Sequence, residues 1–150
     1  MFSIRQAIEA DIEVMIAFDD VAQRDSSRRA FIQRTVGAGS CFVALAGKQV
    51  VGYIVLEYSF YEEGFVAMLY IHPDYRHQGA GEMLMQYIEP LCRTAKLFAS
   101  TNFSNQRMQA LFAKLGYALS GVIYNLDEGD PELVYFKAVG AARPSTDFAP

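Results

Sequence analysis

Apolar and polar residues along this chain alternate with two periods, one of two residues and one between three and four. The shorter period is clearest from Cys41 to Ala46 and from Gln49 to Ser59. These segments read as strands joined by a Gly47-Lys48 hairpin turn. Ser3 to Ala7 reads as a short first strand, and Phe65 to Ile71 as a buried strand dense in apolar residues. Leu97 to Thr101, Tyr117 to Leu126 and Glu132 to Ala138 complete the set. Phe60 to Glu63 and Asp127-Glu128-Gly129-Asp130 are the connecting loops.

The longer period marks helices. Ile12, Met15 and Ile16 recur behind Asp11, which could cap them. A polar stretch, Asp19 to Arg29, leads to a second helix around Ala30 to Val36, ended by Gly37 and Gly39. After Gly81, the residues Leu84, Tyr87, Ile88, Leu91 and Cys92 share one face, and Pro90 should kink or shorten that helix. Ser104 or Asn105 opens a last helix with Met108, Leu111, Phe112 and Leu115 inward, closed by Gly116. This order predicts one α/β or α+β domain over residues 1–140. The Ala/Pro/Ser-rich segment 141–150 reads as a flexible tail.

Composition narrows the function. An apolar content of 52% supports a sizeable core, and 20% charge argues against long disorder. A formal net charge of −4 disfavours nucleic acid and mildly suits a cationic amine substrate. No apolar run reaches membrane-spanning length, and the N-terminus lacks a signal core. Cys41 and Cys92 read as buried thiols, which fits a reducing cytoplasm. Two cysteines and two isolated histidines make no metal-ligand cluster, so no metal is expected.

The candidate chemistry lies between Phe65 and Glu89. There a strand runs through Pro73 into Arg76-His77-Gln78-Gly79-Ala80-Gly81 and then a helix. Converging backbone N–H groups and a helix N-terminus favour an anion. Gly79 and Gly81 permit close approach and unusual backbone angles, and Arg76 adds a fixed cation. The pattern suits a pyrophosphate, although glycines here could also be simple turn residues. A P-loop is excluded because no Gly-Lys-Ser/Thr occurs, and a G-x-G-x-x-G fingerprint is absent.

The run Tyr70 to Gly81 resembles the acetyl-CoA-binding motif of the GCN5-related N-acetyltransferases. The stretch Asn105 to Tyr117 is similar to that family's later Asn-containing helix, with Asn and Gly at the expected separation. The resemblance in element order covers roughly residues 1–138. It implies a mixed central sheet of about seven strands, splayed at the central pair and flanked by about four helices. It implies acetyl-CoA as acetyl donor, with the backbone of Leu69, Tyr70 and Ile71 pairing with pantetheine as an added strand. One of those N–H groups would polarise the thioester carbonyl. Arg76, His77, Gln78, Gly79, Ala80 and Gly81 would hold the pyrophosphate. Asn102 would face the cofactor gap, and Asn105 would contact pantetheine, cap a helix, or do both. The acceptor would be the primary amine of a small molecule or peptide, acetylated by direct transfer in a ternary complex. Neither Cys lies on the cofactor motif, which disfavours a Cys nucleophile.

The chain departs from the family pattern at two positions. The resemblance implies a Tyr acid seven residues after Asn105 and a Glu base eleven residues before Arg76. Phe112 and Phe65 stand there. Proton transfer must then run through other groups or water, or the protein is a non-catalytic acyl-CoA sensor. Glu57, Glu62 and Glu63 are candidate bases, with a solvated acidic loop as the plain alternative. Tyr70 and Tyr124 are candidate phenols, with core packing the alternative for Tyr70. His72 could serve as base or simply end the strand. Asp19, Asp20, Arg24, Asp25, Arg28 and Arg29, with the loop 125–132, would border the acceptor. Tyr53, Tyr58, Phe60 and Tyr61 hint at an acceptor smaller or more apolar than a polyamine. An edge strand at the terminal hairpin could pair with a second copy to make a homodimer.

Overall fold

A computed structural model describes residues 1–140, and the expected flexible tail at 141–150 lies outside them. The chain runs β1 (Phe2–Gln6), α1 (Ile12–Phe18), α2 (Asp20–Arg24), α3 (Ser26–Gly37), β2 (Cys41–Ala46), β3 (Gln49–Phe60) and β4 (Glu63–Ile71). It continues through α4 (Ala80–Ile88), β5 (Lys96–Asn102), α5 (Gln106–Lys114), β6 (Ala118–Ile123) and β7 (Glu132–Ala138). The strands form one seven-stranded sheet in the order β1-β2-β3-β4-β5-β7-β6. No helix among the described residues is long and apolar enough to cross a membrane. Contacts gather into two compact units, one of Met1–Glu57 with Val66–Ile88, the other of Tyr58–Phe65 with the chain from Glu89 onward.

In the first unit, β1, β2 and β3 pair antiparallel, with Ile4 opposite Ala44 and Val43 opposite Tyr53. Their inward side chains meet Met15 and Ile32, which together with Val43 and Tyr53 are fully buried. The segment expected as a polar stretch, Asp19 to Arg29, is helical, so five α-helices are present where about four were expected. Caps explain it. Asp19 accepts from the Val21 and Ala22 N–H groups at 3.0 and 3.1 Å, and Asp25 accepts from Ser27 N–H at 2.9 Å. Asp11 caps nothing. Its carboxylate accepts from Ile8 N–H at 2.8 Å and pairs with both Nη atoms of Arg5 at 2.7 and 3.0 Å.

Asp19 also holds the unit together. Its buried carboxylate accepts from the Tyr53 hydroxyl at 2.6 Å and from Arg28 Nε at 3.0 Å. One side chain thus links the end of α1, the start of α2, α3 and β3. The helix α4 stops at Ile88, and Pro90 falls in a short 3-10 turn. Leu84, Met85 and Ile88 are buried, while Tyr87 within the helix and Leu91 beyond its end are exposed, so they do not share the buried face expected of them.

In the second unit, β7 lies between β5 and β6, pairing Phe98 opposite Phe136 and Ser100 opposite Val134. β6 ends at Ile123, short of the expected Leu126, and a bulge at Ser120 shifts its register. On one side of this sheet Phe112 packs against Tyr117 and Tyr135, at 5.8 and 5.0 Å between ring centroids. Glu89 accepts from the Tyr117 hydroxyl at 2.8 Å and pairs with Lys137 at 3.1 Å. Burial and that carboxylate push the Tyr117 phenol well above its ordinary range.

Asp19→Ala should destabilise the protein by about 3–5 kcal/mol in urea unfolding, because Arg28 is left largely buried without its counter-ion. A loss below about 1 kcal/mol would show that the carboxylate is not the organising group. The Arg5 hydrogen bonds hold the Asp11 carboxyl below the usual carboxylate range. A lowered folded-state value adds stability above the unfolded value near pH ~4 and loses it as pH falls through the folded value. The stability gap between wild type and Asp11→Asn should therefore be widest near neutrality and close on acidification. A gap that stays constant would mean the pair contributes no titratable stability.

Candidate active site

The turn after β4 is built from local hydrogen bonds. His72 N–H donates to Val51 O at 2.7 Å, and Tyr75 N–H donates to His72 O at 2.9 Å. His72 Nδ1 accepts from Asp74 N–H at 3.0 Å, so that nitrogen is already engaged. Arg76 Nε returns to Ile71 O at 3.0 Å, and its guanidinium lies 5.2 Å over the Tyr70 ring. His77 and Gly79 take positive φ, +64° and +92°. Gly81 does not, so the conformational demand expected of both glycines falls on Gly79 and His77.

Gly79 O accepts from Met83 N–H at 3.0 Å, which closes the first turn of α4. The amides of Ala80 and Gly81 precede that bond and have no acceptor inside the helix. They sit at the positive end of its dipole. A Cβ added at Gly79 would meet nothing within 4 Å, so the loop is open on that side. Backbone donors, an open loop and Arg76 fit a pyrophosphate.

Tyr70 is tied down in the first unit. Its hydroxyl donates to Asp20 Oδ1 at 2.5 Å and accepts from Asp20 N–H at 3.3 Å. Burial and the Asp20 carboxylate raise its pKa, while the same bond holds Asp20 below the carboxylate range. Its ring stacks on Phe18 and Tyr53, both 6.2 Å away. Several of the charged residues expected around an acceptor make framework bonds. Asp19 pairs with Arg28, Asp25 caps α3, and Arg29 donates to Ala22 O at 2.7 Å. Glu57, a candidate base, is ion-paired with Arg34 at 2.7 Å.

The second unit holds the other candidates. Phe60 and Glu63 flank a two-residue turn whose central residues, Tyr61 and Glu62, both take positive φ, 52° and 62°. Two non-glycine residues in that region cost roughly 1–2 kcal/mol each. Phe65 stacks on Phe60 at 5.1 Å, and Phe60 meets Phe98 at 5.1 Å. Glu63 lines a cavity of about 380 Å³ with Phe60, Phe98, Gly121, Ile123 and Val134 among its walls. Tyr124 follows that wall but is exposed. The β5–β6–β7 walls were missed in the sequence. The available signal was Gly121, a glycine inside a strand beside a bulge.

Asn102 and Asn105 are both engaged. Asn102 Nδ2 donates to Asp127 at 2.8 Å, and Asn105 Oδ1 caps α5 by accepting from Met108 N–H at 3.2 Å. Phe112 is buried in the core of this unit, so its side chain is a packing group. Cys41 is fully buried, its thiol pushed up to about 12 by desolvation, whereas Cys92 is only half-buried.

Comparison with known proteins agrees with this geometry. A family model described as the acetyltransferase (GNAT) family matches residues 7–117. A GNAT-family acetyltransferase structure from Bacillus cereus superposes with a TM-score of 0.87 at 29% identity, covering 92% of this chain and 97% of its own. The ribosomal-protein-S18-alanine N-acetyltransferase of Escherichia coli shares the fold, with a TM-score of 0.77 at 16% identity over 97% and 98% of the two chains. A Bacillus anthracis acetyltransferase solved in complex with acetyl coenzyme A shares it over 65% of this chain and 61% of its own, with a TM-score of 0.60 at 17% identity. No match was found among curated proteins. The match over most of the chain, together with a seven-stranded sheet and an open turn at the start of α4, places this protein in the GNAT family of acetyltransferases, which use acetyl-CoA.

Proposed function

We propose that this enzyme transfers an acetyl group from acetyl-CoA to a primary amine of a small molecule or peptide, by direct attack in a ternary complex. The observation that carries the reading is the start of α4, where Gly79 at φ +92° has open space on its Cβ side and precedes the first amides of the helix, close in sequence to Arg76. Those amides, with His77 and Gln78, would hold the pyrophosphate, and the backbone of Leu69, Tyr70 and Ile71 would hold the pantetheine amides. Asn102 and Asn105 are further cofactor-contacting candidates. Acetyl-CoA supplies an activated thioester when bound.

The amine must lose a proton before it attacks. Glu63 is the best-supported base. It lies two residues before Phe65, so strand alternation puts both on the same face of β4. Phe65 holds the position where the family resemblance implies a Glu, and Glu63 could take over its role. Tyr70 already donates to Asp20, which ties its proton to that carboxylate, and Tyr124 is the freer phenol. A second copy could pair along β6, the last strand of the sheet, where Leu119 and Val122 are exposed.

Calorimetry should show micromolar acetyl-CoA binding that weakens for dephospho-CoA and is lost for free pantetheine. Gly81→Val should weaken that binding by more than about tenfold while circular dichroism stays unchanged, because a side chain would crowd the helix amides. Unaltered affinity in the variant would remove the cradle assignment. Glu63→Gln should lower kcat by about 100-fold or more with acetyl-CoA affinity intact. Equal turnover would take Glu63 out of the proton-transfer role, and cofactor binding without CoA release for any amine would make the protein a sensor.

A further inference from the structure

We infer that the cavity beside Glu63 receives an amine with an aromatic or branched apolar body, its ammonium held on the Glu63 carboxylate. This names the acceptor class and rests on the acetyltransfer reading above. At about 380 Å³ the cavity falls within the range of small-molecule sites. Its described walls carry one charged residue, Glu63, among aromatic and aliphatic side chains. Glu63 has no hydrogen-bond or ion-pair partner among the described residues, unlike Glu57 with Arg34 and Glu89 with Lys137. A half-buried carboxylate at an apolar wall favours a cation that brings its own apolar surface.

Three further features shape the ligand. Phe60 and Phe98, 5.1 Å apart, make an aromatic wall on which a ring could pack. Gly121 lines the cavity without a side chain, and a Cβ there would meet nothing within 4 Å. The room in the cavity therefore depends on this glycine, whose φ is not positive and would accept another residue. The turn at the rim holds Tyr61 and Glu62 at positive φ, and strained backbone of this kind clusters at ligand sites. A linear polyamine would match the charge of Glu63 but leave the apolar wall unfilled and desolvate its other ammonium groups.

The test titrates three probes, 2-phenylethylamine, its alcohol isostere 2-phenylethanol, and spermidine. Each is titrated into the whole protein with and without saturating CoA. Acetyl-CoA binding is measured on the same preparations. We expect 2-phenylethylamine to bind more tightly than both other probes. Glu63→Gln should weaken the amine about tenfold or more, the worth of one charge-assisted hydrogen bond, and leave the alcohol unchanged. Gly121→Leu should block both phenyl probes while acetyl-CoA still binds. Preference for spermidine, or an amine affinity indifferent to both variants, would overturn the pocket assignment. If acetyl-CoA binds normally in that case, the acetyltransfer reading stands without the pocket. If acetyl-CoA also fails to bind, the cofactor cradle is wrong as well.

Discussion

Burying the Asp19 carboxylate commits four other groups, the Tyr53 hydroxyl, Arg28 Nε and the amides of Val21 and Ala22. A buried anion is tolerated only when it is paired and hydrogen-bonded, so these partners cannot move independently. Tyr53 is thereby held against Tyr70, and the residue after Asp19 bonds the Tyr70 hydroxyl. The last part of β4 is thus supported by a polar network as well as by apolar packing. That strand leads directly into the turn at His72 to Gly79.

The turn is held by local bonds, each with at least one backbone partner. Gly79 O and Ile71 O accept from Met83 N–H and Arg76 Nε, and His72 Nδ1 accepts from Asp74 N–H. Donors left over at the start of α4 point outward because a helix cannot use its own first amides. This separates two tasks. A cofactor can be held by peptide groups that tolerate side-chain change, while proton transfer needs particular side chains. In this chain the two positions implied for acid and base are Phe112 and Phe65, and both pack against other rings. Glu63 stands close by on the face that Phe65 shares, beside a cavity with one charged wall residue.

Several side chains singled out for chemistry make structural bonds. Of the residues expected to border an acceptor, Asp19 and Asp25 cap helices, Arg28 pairs with Asp19, and Arg29 donates to the Ala22 carbonyl. Asn105 realises its capping alternative. The polar segment from Asp19 to Arg29 hid two helix starts, because it lacks the apolar period and its caps are ordinary Asp residues. The two-residue turn at Tyr61-Glu62 was also hidden, since neither residue is the Gly, Asn or Asp that such a turn favours.

The chain by itself determined the succession of strands along the sequence, most helix positions and the glycine turn before α4. These depend on local spacing, where hydrophobic period, caps and backbone freedom act over a few residues. It also carried the family likeness, because the cofactor turn is contiguous in sequence. Only the tertiary structure decided which charges are paired, that Tyr70 donates to Asp20, and that Glu63 lines a cavity with Phe98 and Gly121. Those facts depend on residues far apart in the chain, and whether they meet is set by packing that no local pattern encodes.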